Sequence, residues 1–396
     1  MKDIYLDHSA TTYTDPIVLQ EMLPYFTEVF GNASSQHKAG RESLKAVDVA
    51  RERIAKAIGC LPSEVYFTSG GSESDNWAIK GMAEMHKDKG NHIITTKIEH
   101  PAVIQTCKAL EKQGFEVTYL DVDNEGIIST KLLEEAINER TILISVMFAN
   151  NEMGAIQPIA EIGEIAKKYK IAFHTDAVQA VGNVPIDVKA MNIDMLSMSG
   201  HKFYGPKGVG VLYKRNGLRI GKFMDGGEQE RNMRAGTINT PAIVGMGKAI
   251  ELAVEGMRAN NEHIAKLRDY FVSQVLEKIP HIYFNGPKDM SKRLANNASF
   301  SFEYVEGESI LMRLDMQGIR VSSGSACSSG SLEPSYVMLS LGVPIEIAHG
   351  TIRFSFGKSN TMEQTQYVID QLVSIIDNLR DMSPLFKEIK GDKIYV

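Results

Sequence analysis

Cysteine and tryptophan are scarce in this chain: Cys60, Cys107 and Cys327 are its only thiols, and Trp77 is its only indole among 396 residues. Three thiols at those spacings build neither a disulfide framework nor a zinc site, so each needs its own explanation. No segment keeps the ~18 uninterrupted apolar residues of a membrane span. Met1-Lys2-Asp3-Ile4-Tyr5-Leu6-Asp7 lacks the basic start and apolar run of a signal peptide, so the expectation is a cytoplasmic protein that does not engage a membrane. A strong excess of charge of either sign is missing as well. Forty-three Lys plus Arg against 49 Asp plus Glu give a net charge of −6, which offers no electrostatic footprint for nucleic acid. The chain has no internal repeat, and its one biased stretch is Ser322-Ser323-Gly324-Ser325-Ala326-Cys327-Ser328-Ser329-Gly330-Ser331. What remains is a chain suited to small molecules and protein partners.

A single core stops growing near ~250–300 residues, so 396 residues predict two lobes. Short β-branched runs mark strands at Glu64–Thr68, His92–Thr96, Glu116–Leu120, Thr141–Val146, Ile171–His174, Met195–Met198 and Val209–Tyr213. Amphipathic segments alternate with them: Leu44, Val47, Ile54 and Ile58 share one helix face, and Ile159, Ile162, Ile165 and Tyr169 another. That alternation predicts a layered α/β fold with a mostly parallel sheet. From Thr240-Pro241 to about Ile279 the pattern is helical, and the passage to the second lobe falls there. Strands at Asn297–Phe302 and Thr351–Phe356 follow. The last helix has Asn360 and Glu363 at capping-box spacing and Val368, Leu372, Ile375 and Leu379 on its apolar side.

The most informative chemistry is the pair Asp176, in His174-Thr175-Asp176-Ala177-Val178-Gln179, and Lys202, in Ser199-Gly200-His201-Lys202. A lysine forms an imine with the pyridoxal phosphate aldehyde. An aspartate at a strand end keeps the pyridine nitrogen protonated, so the ring can take up the electrons of a broken Cα–H bond. His174 and Asp176 share a strand face by period two, while the Gln179 amide could reach a phenolate oxygen of that ring. Thr68-Ser69-Gly70-Gly71-Ser72-Glu73-Ser74 runs from a strand into a helix and offers a phosphate cradle, or an ordinary strand-to-helix turn. It is neither a P-loop nor a dinucleotide fingerprint. His100, before Pro101, can lie on a ring and shuttle protons, or simply cap a helix. Asn150 can bond a ring hydroxyl or a substrate carboxylate, or belong to a polar turn. Arg353 can clamp a carboxylate, or lie on a strand surface. Thr237 could bond a phosphate across a subunit boundary. Cys327, among serines and glycines that cannot form an apolar face, reads as a loop nucleophile or as an incidental cysteine in a flexible linker, whereas Cys60 and Cys107 read as packing or surface residues.

Taken together, these segments resemble the cysteine desulfurases of the NifS/IscS type, class V pyridoxal phosphate enzymes of fold type I. The resemblance includes Tyr5–Thr12, Phe30–Ser35, Glu99–Val103, Ala149–Glu152, His174–Gln179, Ser199–Lys202, Ser322–Ser329, Ser331–Ser335 and Ala348–Ser355. It implies a mixed, mostly parallel seven-stranded sheet in a large domain, residues 15–255. The smaller α+β domain it implies comprises 1–14 and 256–396 and carries a catalytic loop at about 322–334. It further implies that Lys202 is the imine lysine, Asp176 pairs the pyridinium, His100 stacks on the ring, and Asn150 and Gln179 line its oxygen edge. Gly71, Ser72, Ser199 and His201 would hold the phosphate, with Thr237 offered by the other subunit of a homodimer. Arg353, with Asn150, would hold the substrate carboxylate.

Under the same resemblance Cys327 takes sulfur from L-cysteine as a persulfide, leaving L-alanine, and passes it to an iron–sulfur scaffold or sulfur-carrier protein. No intrinsic metal is expected; the Cys327 persulfide could serve as a transient iron–sulfur ligand. The chain departs from the pattern at His8-Ser9, where two asparagines are usual, at Gly71-Ser72, where a small residue precedes threonine, and at Ala33, where proline is common. An aminotransferase or selenocysteine lyase would share the cofactor residues and need no thiol at 327. A non-catalytic sulfur-relay protein on the same fold is the alternative of a different class. The glycine spacing argues against a nicotinamide dehydrogenase.

Overall fold

The computed structural model describes residues 3–323 and 333–386. Thirteen strands are present: β1 Ile4–Tyr5, β2 Val65–Thr68, β3 His92–Thr96, β4 Glu116–Leu120, β5 Thr141–Ser145, β6 Ala172–Asp176, β7 Met195–Ser199, β8 Gly210–Lys214, β9 Ile282–Phe284, β10 Asn297–Phe302, β11 Ile319–Arg320, β12 Ser322–Ser323 and β13 Thr351–Ser355, all among the described residues. Seven of them form one sheet in the order β2-β8-β7-β6-β5-β3-β4. All its pairings are parallel except those of β8, which runs antiparallel to both β2 and β7. The expected mixed, mostly parallel seven-stranded sheet is therefore present.

The reversal at β8 matters for what gathers at the sheet edge. Gly210, its first residue, pairs with Ser199 at the end of β7 and with Thr68 at the end of β2. A Cβ there would stand 2.6 Å from the Gly70 Cα, so a bare residue lets the two strand ends approach. Parallel strands also share a direction, which puts the turns after β3, β5, β6 and β7 at the same edge, where open α/β sheets bind ligands.

Helices cover both faces of this sheet. One core joins Val47, Ile54 and Ile58 of helix Lys38–Ile58 to Phe67, Ile144, Phe173 and Leu196; another packs Trp77, Ile79 and Met82 of helix Gly71–His86 on Leu143, Met195 and Leu212. A separate core gathers Ile4 and Leu6 with Phe271, Phe300, Ile310, Phe354, Val368 and Leu372 around the four-stranded sheet β12-β13-β10-β9. Helix Thr240–Lys278 belongs to both, with Ile243 to Ile250 in the first and Ile264 to Val275 in the second. Among the described residues no helix is long and apolar enough to cross a membrane.

Local differences from the sequence reading have identifiable causes. The cap of the long helix is Asn239, whose side chain accepts from the Ala242 N–H, one residue before the Thr240-Pro241 start read from the sequence. The last helix is capped by Thr361 with Gln364 as its box partner, because Asn360 is occupied by the Gly357 N–H and the Tyr5 carbonyl. Leu44 and Tyr169 are exposed although they continue an apolar stripe; the Tyr169 hydroxyl bonds Glu134 instead.

Candidate active site

A cavity of about 290 Å³ opens at the carboxyl edge of the large sheet, lined by Gly71, Ser72, His100, Asp176, Gln179, Ser199, His201, Lys202 and Arg353. Ser9, Ala10, Asp75, Met147, Ala149, Asn151 and Val178 complete its wall. Residues from seven separate stretches of chain thus converge on one space.

Gly71 starts the helix after β2. A Cβ there would come within 2.6 Å of Val178 Cγ2, so only glycine leaves the helix N-terminus bare at this wall. Asp176 ends β6, 6 % exposed, and its Oδ1 accepts the Val178 N–H at 2.9 Å. Burial raises its carboxyl pKa, against the opposing pull of Lys202 and of His100 when protonated. Lys202 closes a short 3-10 turn after β7, and its ammonium donates to the carbonyls of Ser9 at 2.5 Å and Ala10 at 2.8 Å. The amino-terminal segment therefore wraps the lysine. Gln179 donates to the same Ser9 carbonyl at 2.9 Å.

His100 both caps and lines the cavity, so the two readings of its sequence position are compatible. Its Nδ1 accepts the Ala102 N–H at 3.1 Å at the start of helix Pro101–Glu111, which leaves Nε2 as the atom that can exchange a proton. Burial lowers its pKa, with Asp176 opposing, so the ring is neutral at pH 7. His201 is held at about 4 by burial and by Lys202 and Lys207, and its Nδ1 lies 3.1 Å from the Thr11 hydroxyl.

Arg353 on β13 is 3 % exposed, with Nη2 donating to Asp7 at 2.8 Å and Nη1 to the Asn151 carbonyl at 3.0 Å. Its Nε is buried without a partner among the described residues, as is the Ser9 hydroxyl. Two unmet polar groups in the wall of one cavity are a demand for a polar ligand.

Some expected residues lie elsewhere. Asn150 is fully buried and its side chain is spent on the backbone, donating to the Ile98 carbonyl at 2.9 Å and accepting from the Glu152 N–H at 2.8 Å. Its neighbour Asn151 lines the cavity. A turn of two adjacent asparagines does not show from sequence which amide faces inward. Thr237 is exposed and does not line the cavity of its own chain. Cys327 lies outside the described residues. The described residues on either side of that segment are nonetheless tied to the site: Ser322 pairs with Arg353, the Ser335 hydroxyl donates to Glu152 Oε2 at 2.6 Å, and the Tyr336 hydroxyl donates to the Glu99 carbonyl at 2.5 Å. Burial raises the thiols of Cys60 and Cys107 to about 12, which makes both inert at neutral pH.

The sequence pattern gives Asp75 no role, and Glu99 none beyond its place in the Glu99–Val103 segment. The available signal was a carboxylate on the buried face of each segment, beside Trp77 and Ala78 or next to His100. Glu99 is buried, with Oε1 accepting from Thr96 Oγ1 at 2.8 Å and from the Met147 N–H at 2.9 Å, while Oε2 has no partner among the described residues. Burial pushes its pKa up to about 8. A carboxyl whose pKa is higher folded than unfolded stabilises the fold below ~4.3, and that contribution is lost as pH rises through the folded value. Glu99→Gln keeps the Oε1 acceptor and cannot ionise. Between pH 5 and 8.5, denaturant titrations should show the wild type losing roughly 2–4 kcal/mol more than the variant.

Residues 4–368 match the aminotransferase class-V family. The cysteine desulfurase IscS of Clostridium botulinum is 57 % identical over 99 % of both chains. Among solved structures, a NifS-like protein superposes with a TM-score of 0.89 at 39 % identity over 95 % of this chain and 100 % of the other. A structure described as SspA in complex with cysteine superposes with a TM-score of 0.80 at 38 % identity, covering 90 % of this chain and 100 % of that one. With its fold, its cavity residues and this likeness over nearly its whole length, the chain belongs to the class-V aminotransferase family, within the cysteine desulfurases.

Proposed function

We propose that this cavity holds pyridoxal phosphate and L-cysteine, and that the enzyme converts L-cysteine to L-alanine while Cys327 takes the sulfur as a persulfide. The observation that carries this reading is the convergence of Lys202, Asp176, His100, Gly71 and Arg353 on one small cavity. The residues fit such a group: a bare helix N-terminus for a phosphate, a buried carboxylate for a ring nitrogen, an amine for an aldehyde and an unmet guanidinium Nε for a carboxylate. Pyridoxal phosphate, when bound, supplies a carbonyl that condenses with amines and a ring that takes up electrons from the substrate Cα.

The chain's own residues then have separate tasks. Asp176 holds positive charge at the ring nitrogen. Lys202, released from the Ser9 and Ala10 carbonyls, takes the Cα proton in its neutral form. Arg353 Nε and the Asn151 amide orient the carboxylate, and His100 exchanges protons through Nε2. Gln179 faces the oxygen edge, while Ser72, Ser199 and His201 surround the phosphate, with Thr237 completing it from the second subunit of a homodimer. The Cys327 thiolate attacks the substrate sulfur; an S–S bond forms as the C–S bond breaks, and the carbon keeps the electron pair and takes a proton to become the alanine methyl. An iron–sulfur scaffold or carrier protein in the cytoplasm then receives the terminal sulfur.

Residues 15–255 form the large domain in this reading, and 1–14 with the rest of the chain form the small one. Two cores that share helix Thr240–Lys278 support that division. Cys327→Ser tests the loop assignment. It should retain the yellow cofactor colour and lose sulfide release by at least ~10³-fold, measured with L-cysteine and a thiol reductant. Full residual activity would place the acceptor thiol elsewhere and favour an aminotransferase or lyase reaction.

A further inference from the structure

Asp75 has no task in the reaction just described, yet it lines the same cavity at 1 % exposure, with Oδ1 lacking a partner among the described residues. It sits on helix Gly71–His86 beyond the first turn, where the helix dipole has largely decayed. One ligand atom each of Asp75, Asp176 and His100 lies within 4.8 Å of the others. Two carboxylate charges that close repel strongly even where the surroundings screen them well above the dry-interior limit.

The groups facing this pair divide unevenly. Lys202 and His100 act on Asp176. Asp75 meets His174 and Asp176 from β6, Ser197 from β7, and Glu99 from the turn after β3. His174 Nε2 is 3.6 Å from Asp75 Oδ1, but burial holds that ring neutral, at about 3, and its nitrogens lie 2.9 Å from the Ser145 hydroxyl and 3.0 Å from the Ser197 hydroxyl. No cation therefore opposes the burial of Asp75, while Lys202 opposes that of Asp176.

We propose that Asp75 is a protonated carboxylic acid at neutral pH and that, by keeping the proton of the pair, it holds Asp176 as the ionised member that faces the cofactor ring. Asp75 is thus a positioning residue, and its role toward the ring rests on the reading given above. Coupled carboxyls of this kind take their protons in two separated steps, so Asp176 ionises without the repulsion that a charged Asp75 would add.

Infrared spectroscopy of the purified protein, with and without carboxyl-¹³C aspartate, reads this directly. At pH 7 a protonated-carboxyl band should shift with the aspartate label and vanish in Asp75→Asn; Glu99 is silent to that label. Equilibrium dialysis of pyridoxal phosphate provides the second arm. Asp75→Ala should loosen binding about tenfold, and the neutral isostere Asp75→Asn should restore it to within about threefold of wild type. Absence of the labelled band, its survival in Asp75→Asn, or failure of asparagine to rescue binding would each overturn the proposal. A wild-type protein that takes up no pyridoxal phosphate would refute the proposed function instead, and the infrared arm would still decide the protonation of Asp75.

Discussion

Lys202→Ala is expected to abolish alanine formation from L-cysteine, by at least ~10⁴-fold, while leaving the fold intact. The substitution removes the amine that reaches the cavity, together with its hydrogen bonds to the Ser9 and Ala10 carbonyls. Each such bond contributes roughly 1–3 kcal/mol, and both carbonyls can turn to water entering the space the side chain leaves. Added methylamine should restore a small part of the rate, since a free amine can accept the proton that Lys202 no longer takes. Single-turnover alanine measurements, with circular dichroism as the control for folding, check both halves. A normal rate in the variant would remove Lys202 from the reaction.

The second large effect is expected at Asp176. Asp176→Asn keeps the Oδ1 acceptor for the Val178 N–H and removes only the charge. An uncompensated cationic ring nitrogen should then cost ~3–5 kcal/mol, which corresponds to a loss of roughly 10²–10⁴ in cofactor affinity, turnover or both. A coupled change should follow at His100, because the Asp176 carboxylate is what opposes the burial of that ring. Without it, the His100 pKa falls further, which NMR titration of the ring protons can follow. Unchanged cofactor content and turnover would show that the pyridine nitrogen is met by another group.

Much of this site is legible in the chain because strand ends are legible. The run Ile171-Ala172-Phe173-His174 is apolar and β-branched enough to mark a strand, and Asp176 follows at its end. Ser199-Gly200-His201-Lys202 follows another such run, and parallel pairing brings the two ends together. What the chain conceals is orientation at close range. Asn150 and Asn151 differ by one position in a turn that has no simple period, and the Ile98 carbonyl and the Glu152 N–H, which capture Asn150, are themselves set by tertiary packing. The burial of Asp75 and Glu99 is concealed for a related reason. Charged residues are rarely fully buried without a partner, so a pattern reading assigns them to solvent. The passage between lobes is legible only as a segment, because helix Thr240–Lys278 contributes to both cores.

Reduction with borohydride followed by peptide mass mapping is the most direct test of the whole account. The adduct is predicted on the peptide that contains Lys202, at one pyridoxyl group per chain, and should be absent after Lys202→Ala. A modified lysine elsewhere, or none in protein that turns over L-cysteine, would contradict it.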